Sequence, residues 1–163
     1  MFPISNGMKT ISKSLSDTQK VAKDFIKKLS NEEQSGAFVV GLYGDLGSGK
    51  TTFTQAVAKI FNIKEDVTSP TFVIEKIYDI GHPSQIKSQF DGASKNFEKL
   101  IHIDAYRLDS AKELSALDWE RTLGDSKNII FIEWPERVIE VLPKNHEKIF
   151  FKFLSENERE IEI

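Results

Sequence analysis

Cysteine is absent from the 163 residues, which excludes disulfides and thiolate metal sites and suits a reducing compartment. Methionine and tryptophan occur only twice each. No apolar run approaches the roughly 18–20 residues a membrane span needs. The opening stretch MFPISNGMKTISKS lacks the apolar core of a secretion signal. Strong charge of one sign is also missing. The formal net charge is −3 and the pI about 5.7, which argues against a basic nucleic-acid-binding surface. Arginine is scarce, with Arg107, Arg121, Arg137 and Arg159 making up the set. There is no low-complexity tract and no internal repeat. A chain of this size supports one well-built core. The expectation is therefore a single domain over 1–163, soluble and cytoplasmic, with no membrane and no DNA partner.

Strand and helix patterns alternate along the chain. Residues 9–14 suit a short edge strand. Ser16-x-x-Gln19 fits a capping box, and Val21, Ala22, Phe25, Ile26 and Leu29 then recur at helical spacing. FVVGLY (38–43) is the uninterrupted apolar run of a buried parallel strand. A helix is expected from about Gly49 to Phe61. Phe72–Ile80 reads as a strand, and 81–98, polar and containing Gly81, Pro83 and Gly92, as an exposed excursion. LIHID (100–104) and IIFIEW (129–134) are further buried strands, with Ser110–Leu123 mostly helical between them. Ile149–Leu154 and Glu158–Ile163 read as a closing hairpin.

Between the first buried strand and the following helix lies GDLGSGKTTF (44–53). Gly44-x-x-x-x-Gly49-Lys50-Thr51 is a Walker A pattern in the context that gives it meaning, strand before and helix after. Its glycines let backbone amides approach phosphate oxygens, and the helix N-terminus adds partial positive charge. Lys50 is expected to reach the β- and γ-phosphates, and the Thr51 hydroxyl to ligate Mg²⁺. Asp45, Leu46, Gly47, Ser48, Gly49 and Thr52 complete the expected phosphate contacts. The fold implied is α/β: a P-loop NTPase-like three-layer sandwich, with a mainly parallel central sheet and a C-terminal antiparallel hairpin.

Such a site also needs a carboxylate at the carboxyl end of a neighbouring strand. Asp104 after LIHI and Glu133 after IIFI both qualify, as metal ligands or as acids that orient water. Glu133 has the longer apolar run before it and is the closer match to a Walker B acid. Thr68, Ser69 and Thr71 stand where a phosphate-sensing loop could lie, or are ordinary turn hydroxyls. His102 alternates with core residues and reads as structural rather than as a base. Trp134 either packs near the site or faces the core or a partner. The Asn-Lys-x-Asp guanine reader and an Asp-x-x-Gly element are both missing, which excludes a Ras-like timer. A small-molecule kinase remains as an alternative, although its usual lid arginines have no counterpart in 81–98. A nucleotide-sensing adaptor that does not hydrolyse is a third reading.

GDLGSGKTTF, SPTF (69–72), HIDAYRL (102–108) and IEWPE (132–136), in that order, closely resemble the bacterial TsaE (YjeE) family. The resemblance covers about residue 10 to the C-terminus. Ser48 stands where the family often has alanine, and 81–98 looks longer than the family's hairpin. The resemblance implies an Mg²⁺-dependent ATPase, binding ATP and ADP and needing partner proteins for hydrolysis. It implies a TsaD–TsaB complex as the partner, with tRNA met indirectly. In that system TsaD makes the N6-threonylcarbamoyl modification of a tRNA adenosine, and ATP hydrolysis resets the complex. By the same resemblance, Arg159 lies near the nucleotide and Thr18 near its base.

Overall fold

In the computed structural model the described residues are 7–29, 35–81 and 97–163. Seven strands form one sheet in the order β1-β7-β6-β2-β5-β4-β3. They are β1 Lys9–Ser12, β2 Phe38–Tyr43, β3 Glu75–Asp79, β4 Lys99–Asp104, β5 Asn128–Glu133, β6 Glu147–Phe153 and β7 Arg159–Glu162. Among the described residues the helices are α1 Leu15–Leu29, α2 Lys50–Ile60, α3 Ala111–Ser115 and α4 Trp119–Gly124. Short 3₁₀ turns follow at Pro135–Arg137 and Ile139–Val141.

The sheet is mixed rather than mainly parallel. β6, β2, β5 and β4 run parallel at its centre. β3 joins β4 antiparallel, β7 joins β6 antiparallel, and β1 joins β7 antiparallel. Parallel neighbours need a crossover element between them. β3 and β4 pair as an antiparallel ladder, so the parallel run ends at β4. The 81–98 excursion falls largely outside the described residues. At its ends Gly81 N donates to Phe61 O, and Ile80 N to Glu98 O.

The two faces of the sheet carry separate apolar cores. α1 and α2 cover Phe38, Val40, Leu42, Leu100, Ile129, Phe131 and Ile149. There Phe25 and Phe151 meet Phe53 edge-on, at centroid distances of 6.0 and 5.6 Å, and such pairs contribute about 0.5–1.5 kcal/mol beyond their burial. On the opposite face Val39, Ile101, Ile103, Ile130 and Ile132 pack against Leu114, Trp119 and Val138.

Three local expectations are corrected. Helix α1 begins at Leu15, and its first turn is closed by Ser14, whose Oγ accepts from Asp17 N at 3.1 Å. Asp17 returns the bond from Lys13 N at 2.9 Å, so Ser16 lies inside the helix. Thr71–Val73 form a turn and the strand starts only at Glu75, with Phe72 83% exposed. The stretch 110–123 splits into α3 and α4, because Asp118 adopts a left-handed conformation with φ 57°.

Candidate nucleotide site

The phosphate loop is shaped by backbone that other residues would not tolerate. Gly44 has φ 143°, and a Cβ there would stand 2.3 Å from the Phe151 carbonyl oxygen. Gly49 has φ 106° and precedes α2 with no side-chain cap on the helix. The first amides of α2 are thus open to an anion, the arrangement that binds phosphate. Lys50, 4% exposed, donates to Gly44 O at 2.6 Å and Asp45 O at 2.8 Å. Its Nζ lies 4.4 Å from the centroid of the Trp134 indole. Burial draws the Lys50 ammonium below its ordinary value, opposed by the Glu133, Glu136, Asp104 and Asp45 carboxylates. Trp134 reaches this position from a left-handed backbone, φ 58°, one residue beyond β5.

The two acids end adjacent parallel strands in register, Asp104 opposite Glu133. Both are buried, at 3% and 4% exposure. Glu133 Oε1 accepts from Thr51 Oγ1 at 2.7 Å and is 2.9 Å from His102 Nε2. Asp104 Oδ2 accepts from Ser69 Oγ at 3.0 Å and Thr71 Oγ1 at 2.6 Å, while Oδ1 accepts from Tyr106 N at 2.9 Å. The loop carrying these hydroxyls is held by a strained residue, Ile74 at φ 69°. Ile74 N donates to Pro70 O at 2.6 Å, and Ile74 O accepts from Asp104 N at 2.9 Å. A β-branched residue in that conformation costs about 1–3 kcal/mol and persists only where its surroundings enforce it.

All of this opens into one cleft of about 620 Å³, a volume in the range of small-molecule sites. Leu46, Gly47, Ser48, Gly49, Lys50, Thr51 and Thr52 line it, with Asp104, Glu133, Thr18 and Arg159. Asp45 does not line it but reaches it through its carbonyl on Lys50 and its carboxylate's charge. Thr18 Oγ1 is 2.8 Å from Ser12 Oγ at the far wall. Arg159 Nε donates to Gly47 O at 3.1 Å, tying the β6–β7 turn to the loop. The Ser48 hydroxyl, fully buried, has no partner among the described residues.

The donor set fits a nucleotide with a small hard cation. A lysine, free helix amides and a hydroxyl surround the space, and two carboxylates stand behind it. Among the described residues no group of three or more acidic or histidine side chains could enclose a cation alone. Mg²⁺ keeps waters and takes substrate phosphates beside one or two protein ligands, a part that Thr51 and Glu133 would fill here. Thr51 spends its proton on Glu133 and retains a lone pair for such an ion.

The residues chosen from the sequence converge, and the structure adds others. Ser69 and Thr71 stand on Asp104, and Trp134 lies over Lys50. Ser12, Lys13 and Leu15 also line the cleft. The signal available for them was slight: they flank the start of α1, beside Thr18. The alternation of His102 with core residues marks it in the sequence as structural, and nothing in the sequence places it beside Glu133.

Comparison with known proteins bears directly on this site. The family model described as TsaE, threonylcarbamoyl adenosine biosynthesis protein TsaE, matches residues 12–161. The chain belongs to the TsaE family. A TsaE of Bacillus subtilis, named as a tRNA threonylcarbamoyladenosine biosynthesis protein, is 34% identical over 136 residues, covering 83% of this chain and 75% of its own. The TsaE of Aquifex aeolicus is 32% identical over 143 residues, covering 82% and 86%. The TsaE of Streptomyces coelicolor is 37% identical over 120 residues, covering 73% and 70%. The crystal structure of Bacillus subtilis YdiB superposes with a TM-score of 0.65 at 26% identity, over 99% of this chain and 86% of that one. Every residue of the cleft named above falls inside the span of the TsaE match. No helix among the described residues is long and apolar enough to cross a membrane.

Proposed function

We propose that this TsaE-family chain binds ATP with Mg²⁺ and hydrolyses it slowly. In this reading it is the ATPase subunit that supports threonylcarbamoyl transfer to a tRNA adenosine by a TsaD–TsaB-like complex. The observation that carries the ATPase reading is the 2.7 Å bond between Thr51 and Glu133, which joins the end of the phosphate loop to the end of β5. The biosynthetic context comes from the family and from the names of its relatives.

Lys50 exchanges the Gly44 and Asp45 carbonyls for phosphate oxygens and keeps its place under Trp134. The α2 amides donate to the remaining phosphate oxygens. Thr51, Glu133 and Asp104 would hold Mg²⁺, which supplies neutralisation of the charge developing on the leaving phosphate. Glu133 orients the attacking water with its second oxygen. Asp104, gripped by Ser69 and Thr71, couples that loop to the state of the site.

Slow turnover in isolation follows from the arginines. Arg107 lies over the Phe72 ring and Arg137 donates to Leu108 O. Arg121 meets Asp118 on the surface, and Arg159 is bonded to loop carbonyls. A guanidinium free to meet the transferring phosphoryl group must come from a partner or from rearrangement, and such a group is worth on the order of 10³–10⁵ in rate. The test is steady-state phosphate release from ATP, alone and with TsaB and TsaD. A low rate that rises with the partners is expected. A rate indifferent to them removes the partner from the reading, and phosphate appearing on a small acceptor establishes a kinase instead.

A further inference from the structure

His102 is a fully buried imidazole for which the chemistry above has no use. It lies in the middle of β4, with Lys76 of β3 and Phe131 of β5 as its backbone neighbours, so its main chain is held from both sides. Its Nε2 is 2.9 Å from Glu133 Oε1, and its Nδ1 has no hydrogen-bond partner among the described residues. A proton on Nδ1 would be buried without an acceptor, at a cost of about 1–3 kcal/mol. It would also turn the Nε2 lone pair toward a carboxylate oxygen. The arrangement that satisfies both groups puts the proton on Nε2, donating to Glu133.

Two donors therefore meet the same carboxylate oxygen, and neither bond requires Oε2. They differ in constancy. Thr51 stands on the phosphate loop, where its oxygen is shared with whatever cation the site takes. His102 is fixed inside the sheet and has no other hydrogen-bond partner for its ring among the described residues. We propose that His102 is a positioning residue. It pins Oε1 of Glu133 from behind, so that Oε2 stays turned to the reacting water through every nucleotide state. The inference rests on the reading of Glu133 as the acid of the site.

The test uses three substitutions of graded geometry. His102→Gln keeps an N–H donor near the Nε2 position, His102→Asn keeps one only near Nδ1, and His102→Phe keeps none. Single-turnover phosphate release from Mg-ATP, with TsaB and TsaD present, is expected to fall about ten- to hundredfold for Asn and Phe, the range for losing an orienting partner. It is expected to stay within about threefold for Gln. Mg²⁺-free ATP affinity is expected to hold within about twofold in all three, and His102→Phe adds no further loss to Glu133→Gln. Imidazole nitrogen NMR supplies a readout independent of turnover: the His102 proton sits on Nε2 in the parent, and the signal moves in Glu133→Gln. Equal losses for Gln and Asn that track melting temperature would overturn the proposal, as would parental rates in all three. Parental turnover in Glu133→Gln itself would instead overturn the reading on which the proposal rests.

Discussion

On the α1/α2 face of the two central strands, alternate residues run Leu100, His102, Asp104 and Ile129, Phe131, Glu133. On the other face of the same strands they run Ile101, Ile103 and Ile130, Ile132. The backbone and the period of two are common to both. The first face turns polar over its last steps toward the carboxyl ends, while the second stays dry. The difference lies in what each face is packed against. α2 brings Thr51 to Glu133, and the 69–71 loop brings two hydroxyls to Asp104. The second face receives Leu114, Trp119 and Val138, and the one polar atom of Trp119 is spent on Val141 O at 3.0 Å. A buried acid is tolerable only where donors converge on it. The polar end of one face is thus a property of its covering layer as much as of the strands.

The two buried histidines among the described residues sharpen the contrast. His102, on the polar face, leaves Nδ1 bare and serves a carboxylate. His146 lies against Gly41 on the dry face and is fully satisfied: Nδ1 donates to Pro143 O at 2.7 Å, and Nε2 accepts from Tyr43 OH at 2.8 Å. Burial pushes the Tyr43 hydroxyl up to about 12, with Glu136 adding to it, so it remains a donor.

If the faces divide labour in this way, substitutions should separate cleanly. The largest effect belongs to Lys50→Ala, which should weaken ATP binding by at least about a hundredfold through loss of a charge-assisted phosphate contact. Titration calorimetry measures this, and unchanged affinity would move the nucleotide elsewhere. Next comes Leu114→Ala on the dry face, expected to lower stability by about 2–5 kcal/mol in denaturant unfolding. Its ATP affinity should stay within about twofold. A loss of affinity comparable to that of Lys50→Ala would show the faces to be coupled and break the comparison.

The smallest effect is one of pH. His146 is held below its ordinary value of 6.5, chiefly by burial, with Lys148 adding to the shift and the Pro143 carbonyl and Glu147 opposing it. The unfolded chain therefore binds its proton at higher pH than the folded one. The stabilisation is complete above about 6.5 and is lost as pH falls through the lowered folded value. The difference in melting temperature between the parent and His146→Gln should shrink on acidification through that window. A difference constant across it would refute the assignment.

Much of the phosphate loop could be read directly, because its chemistry is local. Gly44, Gly49, Lys50 and Thr51 lie within eight residues, and their conformation follows from backbone torsions and the start of a helix. The strands carrying Asp104 and Glu133 were legible too, since IIFI is a continuous apolar run and LIHI is apolar but for His102. The start of β3 was not. Phe72, Val73 and Ile74 look like strand, yet Pro70 O takes two backbone donors and folds them into a turn. The start of α1 differs from the expectation by two residues because Ser14 and Ser16 offer the same hydroxyl, and it is Ser14 that meets Asp17 N while Asp17 takes Lys13 N.

The sequence by itself determined that a Walker A pattern sits between a buried strand and an amphipathic helix, with two acids ending later strands. Those features depend on neighbours in the chain. Tertiary structure decided that the sheet is mixed, that Asp104 and Glu133 stand side by side, and that Ser69, Thr71, Trp134 and His102 meet them. Each of these depends on strand order and register, which bring together residues tens of positions apart and which local propensity does not encode.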